Sequence, residues 1–244
     1  MRLQDLEIIL IEPSHPGNIG AAARAMKVMG LSNLTLVNPV RFPAKEANAR
    51  AVGAIDLLEK ARICKSLESA TEGLAYVYGT TARARQMGAP VVSPRAAARD
   101  IVGGRGRMAI IFGREQAGLK NSELDFCQKS IRIPTQENFK SLNLGQAVQI
   151  LSYELRVAYL ESGKTSEEAA EGERDQLVSA DQVLGMKKHL LSVMEQVEYF
   201  DPNHPKLLER RLARFINSAG VRRSELQIAR GFLSAIENKL SKEK

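Results

Sequence analysis

The chain has 244 residues, 44% of them hydrophobic and 26% charged, enough to bury one substantial core and a smaller appendage. A formal charge of +7 favours an anionic partner, nucleic acid before membrane, and no stretch is apolar for long enough to span a bilayer. The two cysteines, Cys64 and Cys127, stand far apart with no metal-ligand cluster around them, and the amino terminus lacks a signal-peptide pattern. A disulfide framework and a metal site are thereby set aside, and reduced thiols in a cytoplasmic protein are expected.

The apolar run at 7–11 reads as a buried parallel strand. It leads into Ser14-His15-Pro16-Gly17-Asn18-Ile19-Gly20, a turn-rich loop that opens a helix ending near Gly30. Open α/β sheets bind ligands at the carboxyl ends of their strands. Gly20, Ala21, Ala22, Ala23 and Ala25 read here as room for a large substrate backbone, with Arg24 as the charged reach toward an anion or phosphate. Further apolar runs at 34–37, 75–78, 108–112 and 131–133 alternate with helical or turn-like stretches at 21–29, 48–60, 66–70, 94–102 and 122–127. A long helix at 143–160 carries an apolar stripe through Leu144, Val148, Leu151 and Leu155. This alternation predicts an α/β domain over 1–163, a mostly parallel sheet with helices on both faces.

The composition then changes. Residues 164–180 are strongly acidic (Glu167, Glu168, Glu171, Glu173, Asp175) with no apolar period, which predicts a linker. Helical periodicity returns at 181–197, 205–218 and 224–240, with Asp181 and Ser224 as expected N-caps and a turn at 201–205. Residues 181–244 therefore read as a small all-helical module. Its Arg210, Arg211 and Arg214 fit a solvated helix face as well as they fit an RNA contact.

Three more polar clusters follow predicted strands: Gly79-Thr80-Thr81-Ala82-Arg83, Gly113-Arg114-Glu115-Gln116-Ala117-Gly118, and Ile133-Pro134-Thr135 leading on to Ser141-Leu142-Asn143. Each alone has a structural explanation, since glycines make turns and Ser141 or Asn143 could cap a helix. Together they should gather with the first loop on one sheet edge, and a site becomes the better reading. Phosphate-cradling motifs of the GxGxxG or GxxxxGK[ST] kind are absent, which disfavours a generic nucleotide-binding protein. His15, His189 and His204 form no metal set, and His15, without a visible carboxylate partner, reads as structural.

In this order, SHPGNIGAAARAMKVMG, GTTARAR, FGREQAGL and SLNLGQAVQILSYELR closely resemble the SPOUT-superfamily RNA ribose 2′-O-methyltransferases. The likeness covers nearly all of the first part, and the helical tail after an acidic linker fits the bacterial tRNA-modifying branch. The resemblance implies a deep trefoil knot, S-adenosylmethionine as cofactor and a homodimer whose active sites borrow residues from the partner subunit. It assigns cofactor contacts to Thr80, Thr81, Ala82, Gly113, Ile133, Pro134, Ser141, Leu142 and Asn143. It assigns substrate and catalytic roles to Asn18, Arg24 and Glu115, with Ser141 and Asn143 close to the methyl-transfer point. The implied substrate is the ribose 2′-hydroxyl of cytidine or uridine at position 32 of the tRNA anticodon loop.

With no tryptophan and 5% aromatic residues, RNA affinity is expected from phosphate contacts of Arg24, Arg83, Arg85, Arg114, Arg210, Arg211 and Arg214 more than from stacking. Similar enzymes have been given an arginine base at the place of Arg24. A guanidinium stays charged near neutrality, so holding a phosphate and stabilising a developing alkoxide is the cheaper role. The alternatives are a 2′-O-methyltransferase for rRNA or another tRNA position and, from another class, an inactive RNA-binding protein.

Overall fold

The computed structural model describes residues 3–82, 89–138, 141–163, 178–205 and 207–241. The expected linker lies almost wholly outside them, as do Arg83, Arg85 and residues 139–140 of the stretch that leads from Thr135 to Ser141. In chain order the strands are β1 (Leu6–Ile11), β2 (Asn33–Val37), β3 (Arg62–Cys64), β4 (Tyr76–Thr80), β5 (Val91–Val92), β6 (Met108–Phe112) and β7 (Lys129–Ile131). The helices are α1 (Pro16–Val28), α2 (Lys45–Ala51), α3 (Ile55–Glu59), α4 (Leu67–Thr71), α5 (Pro94–Gly103), α6 (Asn121–Leu124), α7 (Leu144–Glu161), α8 (Ala180–Gln196), α9 (Leu208–Ala219) and α10 (Arg223–Leu240).

All strands pair in parallel in one seven-stranded sheet of order β3-β2-β1-β6-β4-β7-β5. The α/β expectation holds. The two strands that sequence patterning did not find, β3 and β5, are the sheet's edges. They are short and partly exposed, so they lack the apolar run that marks a buried strand.

Every residue of β1 is buried, and the two-residue period sorts its side chains between two cores. Ile8 and Leu10 join the larger core under α1, α5 and α7. Ile9 and Ile11 join a smaller one with Val37, Val77, Ala109 and Ile111, which α4 and α6 cover. Burying each such side chain contributes roughly 1.5–3 kcal/mol. The one charge in the run, Glu7, is 5% exposed and accepts the Thr35 hydroxyl, with Arg107 at 3.5 Å and Arg62 at 3.9 Å. It sits at the amino edge, away from the candidate site.

The stretch read as helical or turn-like at 48–60 holds the end of α2 and all of α3, parted by a turn at Gly53 with φ of +77°. The expected N-caps Asp181 and Ser224 fall inside their helices, whose N-caps lie two residues earlier at Ser179 and Arg222. Glu225, three residues past the N-cap, accepts the Arg222 N–H at 2.8 Å.

A larger correction concerns the small residues of α1. Gly20, Ala22, Ala23 and Ala25 are buried, and a Cβ on Gly20 would lie 2.1 Å from the Ala47 carbonyl oxygen of α2. On the α7 side, a Cβ on Gly145 would lie 2.8 Å from that of Ala21. These residues let three helices pack at short range; they do not make room for substrate.

Candidate functional site

β1 delivers the chain to Glu12 and Ser14, and α1 begins at Pro16, the favoured place for proline. β6 delivers Gly113, Arg114 and Glu115 to the same edge, because β1 and β6 are neighbours in register. Glu115 there acts as the tie between the two loops. The Ser14 N–H donates to both of its carboxylate oxygens at 3.2 Å and the Ser14 hydroxyl to Oε2 at 3.0 Å. The His15 N–H and the Asn18 amide donate to Oε1 at 3.2 and 3.1 Å. Burial pushes this carboxyl up, but the bonds from Asn18, its own backbone, Ser14 and His15 outweigh that and hold it below the usual range. It is an ionised anchor.

Asn143 extends the tie to α7. Its Oδ1 accepts the Gly145 N–H at 2.9 Å as the helix N-cap, and its Nδ2 donates to Asn18 Oδ1 at 2.8 Å. Capping and site geometry are here one arrangement. Asn18, Glu115 and Asn143, far apart in sequence, stand in one hydrogen-bonded line.

Beside this line opens a cavity of about 450 Å³. Thr80, Thr81, Ala82, Gly113, Ile133, Ser141 and Leu142 line it, as expected of cofactor residues, and Glu115 forms part of its wall; Pro134 and Asn143 do not line it. Arg114 and residues 116–118 of the same loop, Thr135, and the apolar Phe112, Leu119, Ile131, Leu144 and Ala147 complete it. The five apolar side chains carry a weak signal in the sequence, because such residues read equally well as core. The loop at 113–118 closes on itself through paired backbone bonds between Arg114 and Gly118. A Cβ on Gly113 would lie 2.1 Å from the Gly118 carbonyl carbon and 2.3 Å from the Leu119 nitrogen. Gly113→Ala is therefore expected to distort the wall at a cost of about 1–3 kcal/mol. Cofactor affinity measured by calorimetry should fall at least about tenfold for about 1.4 kcal/mol of that cost.

Of the arginines expected at the RNA, one is engaged wholly inside the protein. Arg114 Nε and Nη2 donate to Glu12 at 2.7 and 2.6 Å, Nη1 and Nη2 donate to Glu123 at 3.0 and 2.8 Å, and Nη1 reaches the Gly118 carbonyl at 3.4 Å. Its donors are spent inside the protein, these bonds push its pKa further up, and Glu12 is held below the usual carboxylate range. Arg114 fastens the loop and is not the phosphate contact expected of it. Arg210 is half-buried, its Nε buried without a partner among the described residues, and its charge acts on Asp125 of the first part. Arg211 and Arg214 are exposed. Arg24 is exposed on α1, has no ion-pair or hydrogen-bond partner among the described residues, and does not line the cavity.

The cavity suits an adenosyl group. Apolar side chains offer faces for a ring, backbone N–H and C=O groups of the glycine-rich loops offer edge contacts, and the volume is that of a small-molecule site. A cavity of this kind at the carboxyl edge of a parallel sheet, with amide and carboxylate groups brought to it from a second loop, defines a cofactor-dependent α/β enzyme. The profile of the SpoU rRNA Methylase family matches residues 5–153, and that of the tRNA methyltransferase TrmJ C-terminal domain matches residues 181–244. The chain belongs to the SpoU family and is a methyltransferase that uses S-adenosylmethionine.

It is 42% identical over 240 residues to the tRNA (cytidine/uridine/adenosine-2′-O-)-methyltransferase TrmJ of Pseudomonas aeruginosa (strain UCBPP-PA14), covering 95% of this chain and 93% of that protein. It is 40% identical to the tRNA (cytidine/uridine-2′-O-)-methyltransferase TrmJ of Sodalis glossinidius, covering 97% and 92%. The crystal structure of TrmJ from Z. mobilis ZM4 superposes with a TM-score of 0.81 at 32% identity, covering 95% of this chain and 98% of that one.

Proposed function

We propose that this chain methylates the ribose 2′-hydroxyl of a tRNA pyrimidine, cytidine or uridine at position 32 of the anticodon loop. The observation that carries the reading is the Glu115–Asn18–Asn143 line, which joins the loop assigned to substrate with Glu115 in the wall of the cofactor cavity. The near-full-length likeness to tRNA 2′-O-methyltransferases supports the substrate class. S-adenosylmethionine, when bound, supplies a methyl group on a sulfonium. The protein's task is then to hold a ribose oxygen in line and make it nucleophilic.

Asn18, fixed at both ends of its amide, positions the β1–α1 loop. Ser141 is exposed and lines the cavity, which supports giving it the contact with the ribose. Glu115, ionised with its oxygens engaged, orients and does not take the proton, which leaves the ribose hydroxyl for solvent water as the methyl is transferred. Arg24 holds the neighbouring phosphate and stabilises negative charge developing on the oxygen. Because Arg24 lies off its own cavity, the site is completed by the partner subunit of a homodimer. Exposed Val28 on α1 and Tyr153 and Leu160 on α7 supply apolar surface for that contact.

The domain reading stands as part of the proposal: a methyltransferase domain at 1–163, a linker at 164–180 and a helical module at 181–244 that adds Arg211 and Arg214 to the RNA surface. Mass-spectrometric mapping of 2′-O-methyl groups in tRNA and rRNA incubated with the protein and S-adenosylmethionine tests the substrate. Modification confined to rRNA would overturn it. Phosphate-led binding also predicts salt sensitivity. With three phosphate contacts, tRNA affinity should weaken roughly twentyfold between about 50 and 200 mM salt, read by filter binding or anisotropy.

A further inference from the structure

The smaller core of the sheet has thin cover. α4 and α6 are five and four residues long, and the carboxyl-terminal helices pack beyond them. The segment from Leu119 to Cys127 faces two ways. Inward, Leu119 lines the cofactor cavity. Leu119, Leu124 and Cys127 crowd Gly79, where a Cβ would fall 2.7 Å from the Cys127 sulfur and 2.8 Å from Leu124 Cδ2. Gly79 directly precedes Thr80 and Thr81 of the cavity wall. In the same segment, Glu123 holds Arg114 of the cofactor loop.

Outward, the segment is gripped by the tail. Asn217 on α9 is 7% exposed, and its amide donates to the carbonyls of Asp125 at 2.9 Å and Cys127 at 3.2 Å. These carbonyls lie just past the end of α6, in the turn that leads into β7. A second anchor is the Asp181 carboxylate, which accepts the Gly73 N–H at 3.2 Å beyond α4.

We propose that Asn217 is a positioning residue for the cofactor site: by pinning the segment after α6, the docked tail holds the 113–119 loop and the Thr80–Thr81 wall in their binding shape. The tail then serves the cofactor as well as the RNA. The proposal rests on the cavity being the S-adenosylmethionine site. Two groups that act through one element should show coupling of about fivefold or more.

The test uses the full chain and two readouts, hydrogen exchange without cofactor and calorimetry with S-adenosylmethionine. In Asn217→Ala, amide exchange should rise at 125–128 and also at 113–119, and S-adenosylmethionine affinity should fall about fivefold or more. Arg223→Ala, on the exposed start of α10, should change neither. If Asn217→Ala loses the native circular dichroism spectrum, Asn217→Ser keeps one donor and should give the same pattern with smaller shifts. Faster exchange confined to 125–128, with the loop unchanged, would overturn the inference. Failure of the unaltered protein to bind S-adenosylmethionine would instead sink the cofactor assignment, while the exchange pattern would still decide whether the tail holds the loop.

Discussion

Arg24→Ala should reduce methyl transfer to tRNA by at least about 10²–10³-fold, the usual cost of removing a donor aimed at developing negative charge. S-adenosylmethionine affinity should stay within about twofold, because Arg24 does not line the cavity. Folding should be untouched as well. The side chain is exposed and has no partner among the described residues, and alanine suits a helix interior at least as well as arginine. Single-turnover methyl incorporation set beside calorimetry separates these effects. Near-normal turnover would remove Arg24 from the chemistry. Arg24→Lys keeps a positive charge but loses the planar fork, so recovery to within about tenfold would favour charge stabilisation over bidentate grip.

Glu115→Ala should be the most damaging change among residues that hold the site. It strands the Ser14 N–H and hydroxyl and the Asn18 amide in a half-buried place and removes the acceptor of the exposed His15 N–H. Leaving such groups unpaired costs about 1–3 kcal/mol in stability, and turnover should fall by at least about 10² as the loops lose their mutual register. Glu115→Gln keeps the shape but has only one acceptor oxygen, so it should lie between.

The pH dependence follows from the lowered carboxyl. Its contribution is fully present above the ordinary glutamate value of about 4.3 and is lost as pH falls through the lower folded value. The stability gap between wild type and Glu115→Gln should therefore be flat near neutrality and shrink in acid below about pH 4, read by urea unfolding at stepped pH. A gap that widened in acid would mean that the carboxyl is protonated in the folded protein.

How much of this was legible depends on the distance over which the physics acts. The buried strands at 7–11, 34–37 and 108–112 showed themselves as apolar runs, since burial on both faces leaves no polar alternation. The edge strands β3 and β5 did not, because half their surface faces water. In the site, the loop residues were readable as clusters at strand ends. The apolar lining from Leu119, Leu144 and Ala147 was not, because core and cofactor floor ask for the same side chains. Arg114 shows the limit on charges. As a sequence letter it is an arginine in a site loop, and only the placement of Glu12 and Glu123 about it reveals that its donors are taken.

The first helix condenses the contrast. By itself the sequence determined that a glycine- and alanine-rich helix follows the first strand and carries one arginine, since periodicity and turn chemistry act over a few residues. Only the tertiary structure decided what those small residues are for: Gly20 and Ala21 are spent on contact with α2 and α7, and Arg24 is left facing outward, off its own cavity. The same holds for Asn217, an unremarked polar residue in a helical tail until folding sets it against the carbonyls beyond α6. Local patterns fix which elements form because their causes lie within a few residues. Which side chains meet is fixed by packing between segments about a hundred residues apart, and no window of sequence contains both partners.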